Sequence, residues 1–192
     1  SGFEDAPGPA EVFARELTIF RGNPRGVGPT LRLARMLQAA GFYEQAGRFY
    51  DHAESVIRQR GGDAEDLYMV RVGRLHLLLD RGRWEQAVDR AGEWIETYPR
   101  SRALRGLLVE AHRRLGQDKR AAAQAEKMGR TFAAATAPGG EVSAPEAAEM
   151  AWYYLYYRPH PAEALRWARQ AARDAGGDPF VRRVLGTAEL AS

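Results

Sequence analysis

The chain contains no cysteine, which removes disulfides, zinc-thiolate sites and thiol chemistry from consideration. Lysine is almost as scarce: Lys119 and Lys127 are the only two, so arginine carries nearly all the positive charge. Arginine's planar fork suits carboxylates, phosphates and aromatic faces, although a GC-rich bacterial genome would give the same bias. Asparagine occurs once, at Asn23. Long apolar runs are missing too. The richest stretch, Ala147 to Tyr157, is interrupted by Glu149 and falls well short of the roughly 20 residues that span a bilayer. A soluble protein without a membrane span is expected. No charged-then-apolar leader opens the sequence, and cytoplasm and periplasm both stay open.

Marks of catalysis are equally sparse. Serine and threonine are few, and no G-x-S-x-G elbow occurs. The four histidines, His52, His76, His112 and His160, are scattered without ligand spacing such as H-E-x-x-H. The Gly-Pro segment Gly22 to Pro29 has neither the preceding strand nor the following Gly-Lys-Ser/Thr of a phosphate loop. No catalytic, cofactor-binding or metal-ligating residue is assigned, no cofactor is expected, and the chain reads as a non-enzyme.

What is present points to packed helices. Of 192 residues, 45% are hydrophobic and 28% charged, a composition that folds rather than stays disordered. One pattern recurs. GFYEQAGRFYDHA begins at Gly41, GRWEQAVDRAGEW at Gly82 and GQDKRAAAQAEKM at Gly116. Each copy places Ala five residues after the glycine (Ala46, Ala87, Ala121), then residues four and three further on. A period near 34 residues marks stacked helix pairs, and these residues closely resemble the tetratricopeptide repeat (TPR) family, in a bacterial TPR-like form. The resemblance covers about Thr30 to Leu190. It implies an all-α, right-handed superhelical array of antiparallel helix pairs, a TPR-like α-solenoid serving as a non-catalytic protein-protein interaction scaffold.

The periodicity places an N-terminal helix at about Pro9 to Phe20 and a linker to residue 29. Four helix pairs follow over residues 30–177. The first runs from Thr30 to Ala40 and Tyr43 to Arg58, the second from Ala64 to Arg81 and Trp84 to Tyr98, and the third from Arg102 to Leu115 and Asp118 to Ala135. Asp63 and Ser101 are the expected caps. Gly41 and Gly82 are separated by seven residues more than the repeat period. Seven residues make nearly two helical turns, so longer helices around Gly61-Gly62 would absorb them. A second break, Thr136 to Pro145, precedes the fourth pair. Ser143 and Glu146 form a capping box there, and the helix should run to about Tyr157. RPHP replaces the turn glycine before PAEALRWARQAARDA. Residues 178–192 begin a fifth repeat or a capping helix; the former is favoured, which would make the chain a piece of a longer repeat protein.

In TPR-like arrays the first helix of each pair lines the concave face. By that resemblance the partner-binding residues are Arg35, Gln38, Met69, His76, Glu110, Arg113, Tyr153, Tyr156 and Tyr157, with Leu31, Val72, Leu79, Gly106 and Glu149 on the same wall. Such a mixed surface suits a protein or peptide partner. In AWYYLYY, Trp152 and Leu155 are expected in the core, with Tyr153, Tyr156 and Tyr157 on the opposite side. The family's two-carboxylate clamp, built from Lys and Asn, is absent. Nucleic acid is an unlikely partner because 25 acids are interspersed with 28 bases and no basic block appears. Arg-mediated nucleic-acid binding, or a repeat segment of a larger enzyme or secretion assembly, stands as the alternative.

Overall fold

The computed structural model describes residues 8–135 and 142–192. Among them are ten helices and no strand: α1 (Pro9–Gly22), α2 (Val27–Ala39), α3 (Tyr43–Gln59), α4 (Ala64–Asp80), α5 (Trp84–Thr97), α6 (Arg102–Arg114), α7 (Asp118–Ala135), α8 (Ala144–Tyr156), α9 (Pro161–Ala175) and α10 (Pro179–Ala191). The chain divides into two compact units, Ser1–Arg90 and Ala91–Ser192, with the dividing line inside α5.

Local chemistry sets the helix ends. Asp63 accepts a hydrogen bond from the Glu65 amide at 2.9 Å, and the Ser101 hydroxyl accepts from the Leu104 amide at 3.1 Å. The Glu146 carboxylate takes both the backbone N–H and the hydroxyl of Ser143. Each contact satisfies a donor that the first turn leaves without an intrahelical partner. At the other end, Gly41, Gly82 and Gly116 turn the chain with φ of 81°, 67° and 67°, the left-handed region in which a side chain would be strained.

One feature differs from expectation. The break after α1 is only Asn23 to Gly26, because Pro29 sits inside the first turn of α2, where its missing N–H forfeits no hydrogen bond. The turn between α8 and α9 contains no left-handed residue. His160 instead caps α9, its Nδ1 accepting from the Glu163 amide at 3.3 Å. Of the break expected at Thr136 to Pro145, residues 136–141 lie outside the described residues. The seven extra residues are helical: α3 and α4, between Gly41 and Gly82, have 17 residues each, against 14 in α5 and 13 in α6 between Gly82 and Gly116.

In the first unit α2, α3 and α4 close around Leu31, Ala34, Ala46, Tyr50, Ala53 and Val70. Helix α1 is fastened to this group by a buried Glu16 that pairs with Arg32 at 2.6 Å. Phe20 adds an edge contact to Phe49, with centroids 5.3 Å apart. In the second unit α8, α9 and α10 share a core that includes Met150, Tyr153, Trp167, Val181 and Val184, lined by the fully buried Ala164, Ala168 and Ala171 of α9. Small residues at these points let helix axes approach closely.

Both units use one further device. Tyr50 lies across Gly73, Tyr157 across Gly106 and Tyr153 across Gly129. In each case a Cβ on the glycine would sit within 3 Å of the tyrosine ring or hydroxyl, so these mid-helix glycines serve packing rather than turning.

Candidate partner-binding surfaces

The first surface belongs to the first unit, on α2 and α4. Tyr50 comes from α3 but reaches this side over Gly73, and its hydroxyl donates to Gln38 Oε1 at 2.9 Å. Gln38 Nε2 in turn donates to Asp80 Oδ2 at 2.6 Å. The bridge fixes the amide of Gln38 and joins the C-terminal ends of α2 and α4. Burial raises the pKa of Tyr50, with Arg35 opposing and Asp80 adding to the rise. The hydroxyl therefore stays a donor.

Arg35 and His76 flank the bridge, and both are exposed. Part of the His76 residue meets solvent, yet the protein around its ring removes enough water to lower the pKa. Asp80 works against that shift and Arg35 with it. The imidazole is thus held neutral at physiological pH, able to donate and to accept. Arg35 forms no ion pair among the described residues. Met69, Val72 and Leu79 are half-buried, and Met69 packs against the core of the unit. Leu31 does not join the wall; it is buried in that core.

In the second unit the structure redistributes the aromatic residues. Tyr153, expected on the binding wall, is only 2% exposed. Its ring crosses Gly129 and tilts against Phe132, and its hydroxyl donates to the Ala125 carbonyl at 3.2 Å. Tyr157 also leaves the wall: it is half-buried over Gly106 and packs on Val109, Ala121 and Ala125. Burial raises its pKa, opposed by a hydrogen bond with Trp152. Gly106 is covered as a result. Trp152, expected to face the core, is half-buried against it and also stacks on Tyr156 with centroids 4.2 Å apart.

The polar members of this wall are engaged with their own chain. Arg113 donates through Nη1 to the Tyr156 carbonyl at 2.5 Å and through Nη2 to the Tyr157 carbonyl at 3.2 Å. It therefore closes the C-terminal end of α8, where helix carbonyls lack partners and the helix dipole favours a cation. Glu110 pairs with Arg114 at 2.7 Å, and Glu149 with Arg102 at 3.1 Å. Tyr156 stays 41% exposed.

The surface that emerges joins α8 to α10. Trp152 stacks on Tyr156 and also meets Phe180, with centroids 5.8 Å apart. The Arg183 guanidinium lies 5.3 Å from the Trp152 ring and 5.5 Å from the Phe180 ring, within cation-π range. Sequence reasoning missed Phe180 and Arg183. The available signal was their spacing of three on one helix opposite the i, i+4 pair of Trp152 and Tyr156. Among the described residues no group of three His, Asp or Glu side chains could hold a metal, and no helix is long and apolar enough to cross a membrane.

No family model and no curated protein matches the chain. Solved structures do. A tetratricopeptide repeat protein from Parabacteroides merdae superposes with a TM-score of 0.61 at 15% identity over 94% of this chain, which spans 64% of that protein's length. A thermophilic TPR protein from Thermus thermophilus gives 0.55 at 18% identity, covering 95% of this chain and 91% of that one. MamA, as a double mutant of the RS-1 protein, gives 0.52 at 14% identity over 89% of both chains. The helix pairs, the left-handed turn glycines and these likenesses agree: the chain has a TPR-like helical-repeat fold.

Proposed function

We propose that this protein is a non-catalytic interaction scaffold that takes a segment of a partner protein on the α2–α4 wall. The observation that carries the reading is the pairing of a fixed polar bridge with two open groups. Gln38 and Asp80 are held by hydrogen bonds, so they present a rigid polar edge. Arg35 and His76 stand exposed beside it, and Met69 supplies an apolar contact. An extended segment placed there would set its backbone or acidic groups against Arg35 and His76 and an apolar side chain on Met69. The wall is organised before binding, which limits the ordering cost of association. The TPR-like fold supports the general role, because helix-pair repeats present continuous faces of this kind.

Peptide-display selection against the whole protein tests the reading. Selected peptides should bind wild type and lose about tenfold or more with Arg35→Ala/His76→Ala, as truncation of central contacts does. Variants at the polar rim of the second unit, such as Glu110→Ala, should change affinity little. Selected binders that tolerate the Arg35→Ala/His76→Ala change would move the site off this wall.

A further inference from the structure

We propose that the α2–α4 wall takes a partner segment whose docking residue is acidic, and that His76 admits it by taking up a proton. The inference rests on the reading of that wall as the partner site and gives the partner its charge. Four polar groups meet there. His76 and Asp80 lie one turn apart on α4 and share a face. Asp80 accepts from Gln38 Nε2 at 2.6 Å, and Arg35 stands one turn before Gln38 on α2, again on one face. The two permanent charges of this group are opposite, Arg35 positive and Asp80 negative, so they cancel. His76 therefore sets the sign of the wall: neutral, it leaves no net charge, and protonated, it makes the wall cationic.

Other charges on the packed helices are taken. Arg32 of α2 holds Glu16 of α1 at 2.6 Å, Arg81 holds Glu44 of α3, and Arg74 of α4 holds Asp51 at 3.0 Å and also Glu54, both on α3. The group that α3 sends to this side is Tyr50, a neutral hydroxyl donating to Gln38 at 2.9 Å. Arg35 and Asp80 are the charges that bear on the imidazole: Asp80 favours its proton and Arg35 opposes it. A carboxylate settling on Arg35 removes that opposition and adds a second attraction, so the bound imidazole keeps its proton to a higher pH than the free one. Linkage fixes the sign. An acidic segment gains affinity below the bound-state pKa and loses the gain as pH rises through it. A basic segment meets repulsion from both Arg35 and the protonated His76 in the same range.

The test uses the whole protein and a display library of nine-residue peptides with a central glutamate and otherwise uncharged residues, selected at pH 5.0. The best binder is synthesised with both ends blocked, together with versions carrying glutamine or lysine in place of the glutamate. Fluorescence anisotropy follows binding from pH 5.0 to 7.5, where a glutamate side chain stays largely ionised. The glutamate peptide should bind about threefold to fivefold more tightly at pH 5.0 than at pH 7.5, the size of an exposed charge contact; the glutamine and lysine versions should show no such gain. His76→Gln should flatten the profile. Asp80→Asn keeps an acceptor for Gln38 but removes the opposing charge, and should strengthen binding of the glutamate peptide at pH 7.5 by about twofold or more. A selected peptide that binds Arg35→Ala/His76→Ala as well as wild type would refute the wall and this inference together. A peptide lost by that double variant yet bound by wild type with a flat pH profile would refute the proton linkage alone, as would a profile that survives His76→Gln or is shared by the glutamine version.

Discussion

Gly73→Ala should destabilise the protein, although helix propensity alone predicts the opposite. The position lies inside α4, where alanine is favoured over glycine by about 1 kcal/mol. Against that gain stands the buried ring of Tyr50. A methyl group at position 73 would sit 2.4 Å from Tyr50 Cε1, 2.7 Å from Cζ and 2.8 Å from Oη, far inside contact distance. The ring is fully enclosed in the core, and its hydroxyl is tied to Gln38 at 2.9 Å. Overpacking of this kind costs about 1–3 kcal/mol, and loss of the hydrogen bond adds about 1 kcal/mol. The net change is a loss of about 1–3 kcal/mol, or several degrees in Tm for a chain of this size.

The control is the same substitution on the neighbouring helix. A Cβ added at Gly92 in α5 would meet nothing within 4 Å, so Gly92→Ala should stabilise by roughly 0.5–1 kcal/mol. Urea denaturation followed by circular dichroism gives both signs in one experiment. Tyr50→Leu removes the obstructing ring, and Gly73→Ala should cost much less in that background. If Gly73→Ala and Gly92→Ala raise the denaturation midpoint equally, the interlock between Tyr50 and α4 does not exist as described.

Ala87→Leu and Ala121→Leu should each cost about 1–3 kcal/mol by overpacking, since both positions are buried; unchanged Tm would show that the repeat register is misplaced. Arg113→Ala should leave global stability nearly unchanged but speed amide exchange in the last turn of α8, because two carbonyls there lose their donors. Protection equal to wild type would argue against the cap. Acid should weaken the contact between α3 and α4. Burial would raise the pKa of Glu54, but hydrogen bonds and charge from Arg58 and Arg74 outweigh it and the net shift is downward. A carboxylate whose folded pKa is depressed contributes stability above the unfolded value and loses it as pH falls through the folded value. Glu54→Gln should therefore flatten the acid limb of the stability profile below about pH 4.5, and an unchanged limb would remove Glu54 as a contributor.

The helices were legible because period and punctuation agree. Ala46, Ala87 and Ala121 repeat at one offset from Gly41, Gly82 and Gly116. All three alanines are buried, and all three glycines turn with positive φ. Caps such as Asp63 and Ser101 act within three residues, so sequence neighbours suffice to find them. The binding wall was less legible for a physical reason. A residue's place on a helix circumference shifts by about 100° per position, so an error of one position in α8 is enough to move a residue from the wall into the core. Tyr153 is buried where the wall was expected, and Trp152 is half-buried against the same core. Nothing within AWYYLYY distinguishes them, because both are large aromatic residues that a core would accept.

What seats Tyr153 and Tyr157 lies far along the chain. Gly129 on α7 opens the space that the Tyr153 ring fills, and Gly106 on α6 does the same for Tyr157. With those two tyrosines drawn inward, Trp152 stacks on Tyr156 and meets Phe180 and Arg183. The aromatic surface is therefore a consequence of where small residues stand on neighbouring helices. A glycine in the middle of a helix costs about 1 kcal/mol relative to alanine, so its presence there asks for a partner that needs the room. Gly73, Gly106 and Gly129 each announce a bulky side chain arriving from another helix, and the register of that helix follows from which aromatic residue answers. Gly129→Ala should accordingly press on Tyr153 and disturb the stack of Trp152 on Tyr156. Slower quenching of Trp152 by acrylamide would show the tryptophan turning inward in its place, whereas quenching, near-ultraviolet dichroism and stability all unchanged from wild type would show that α8 takes its rotation from elsewhere.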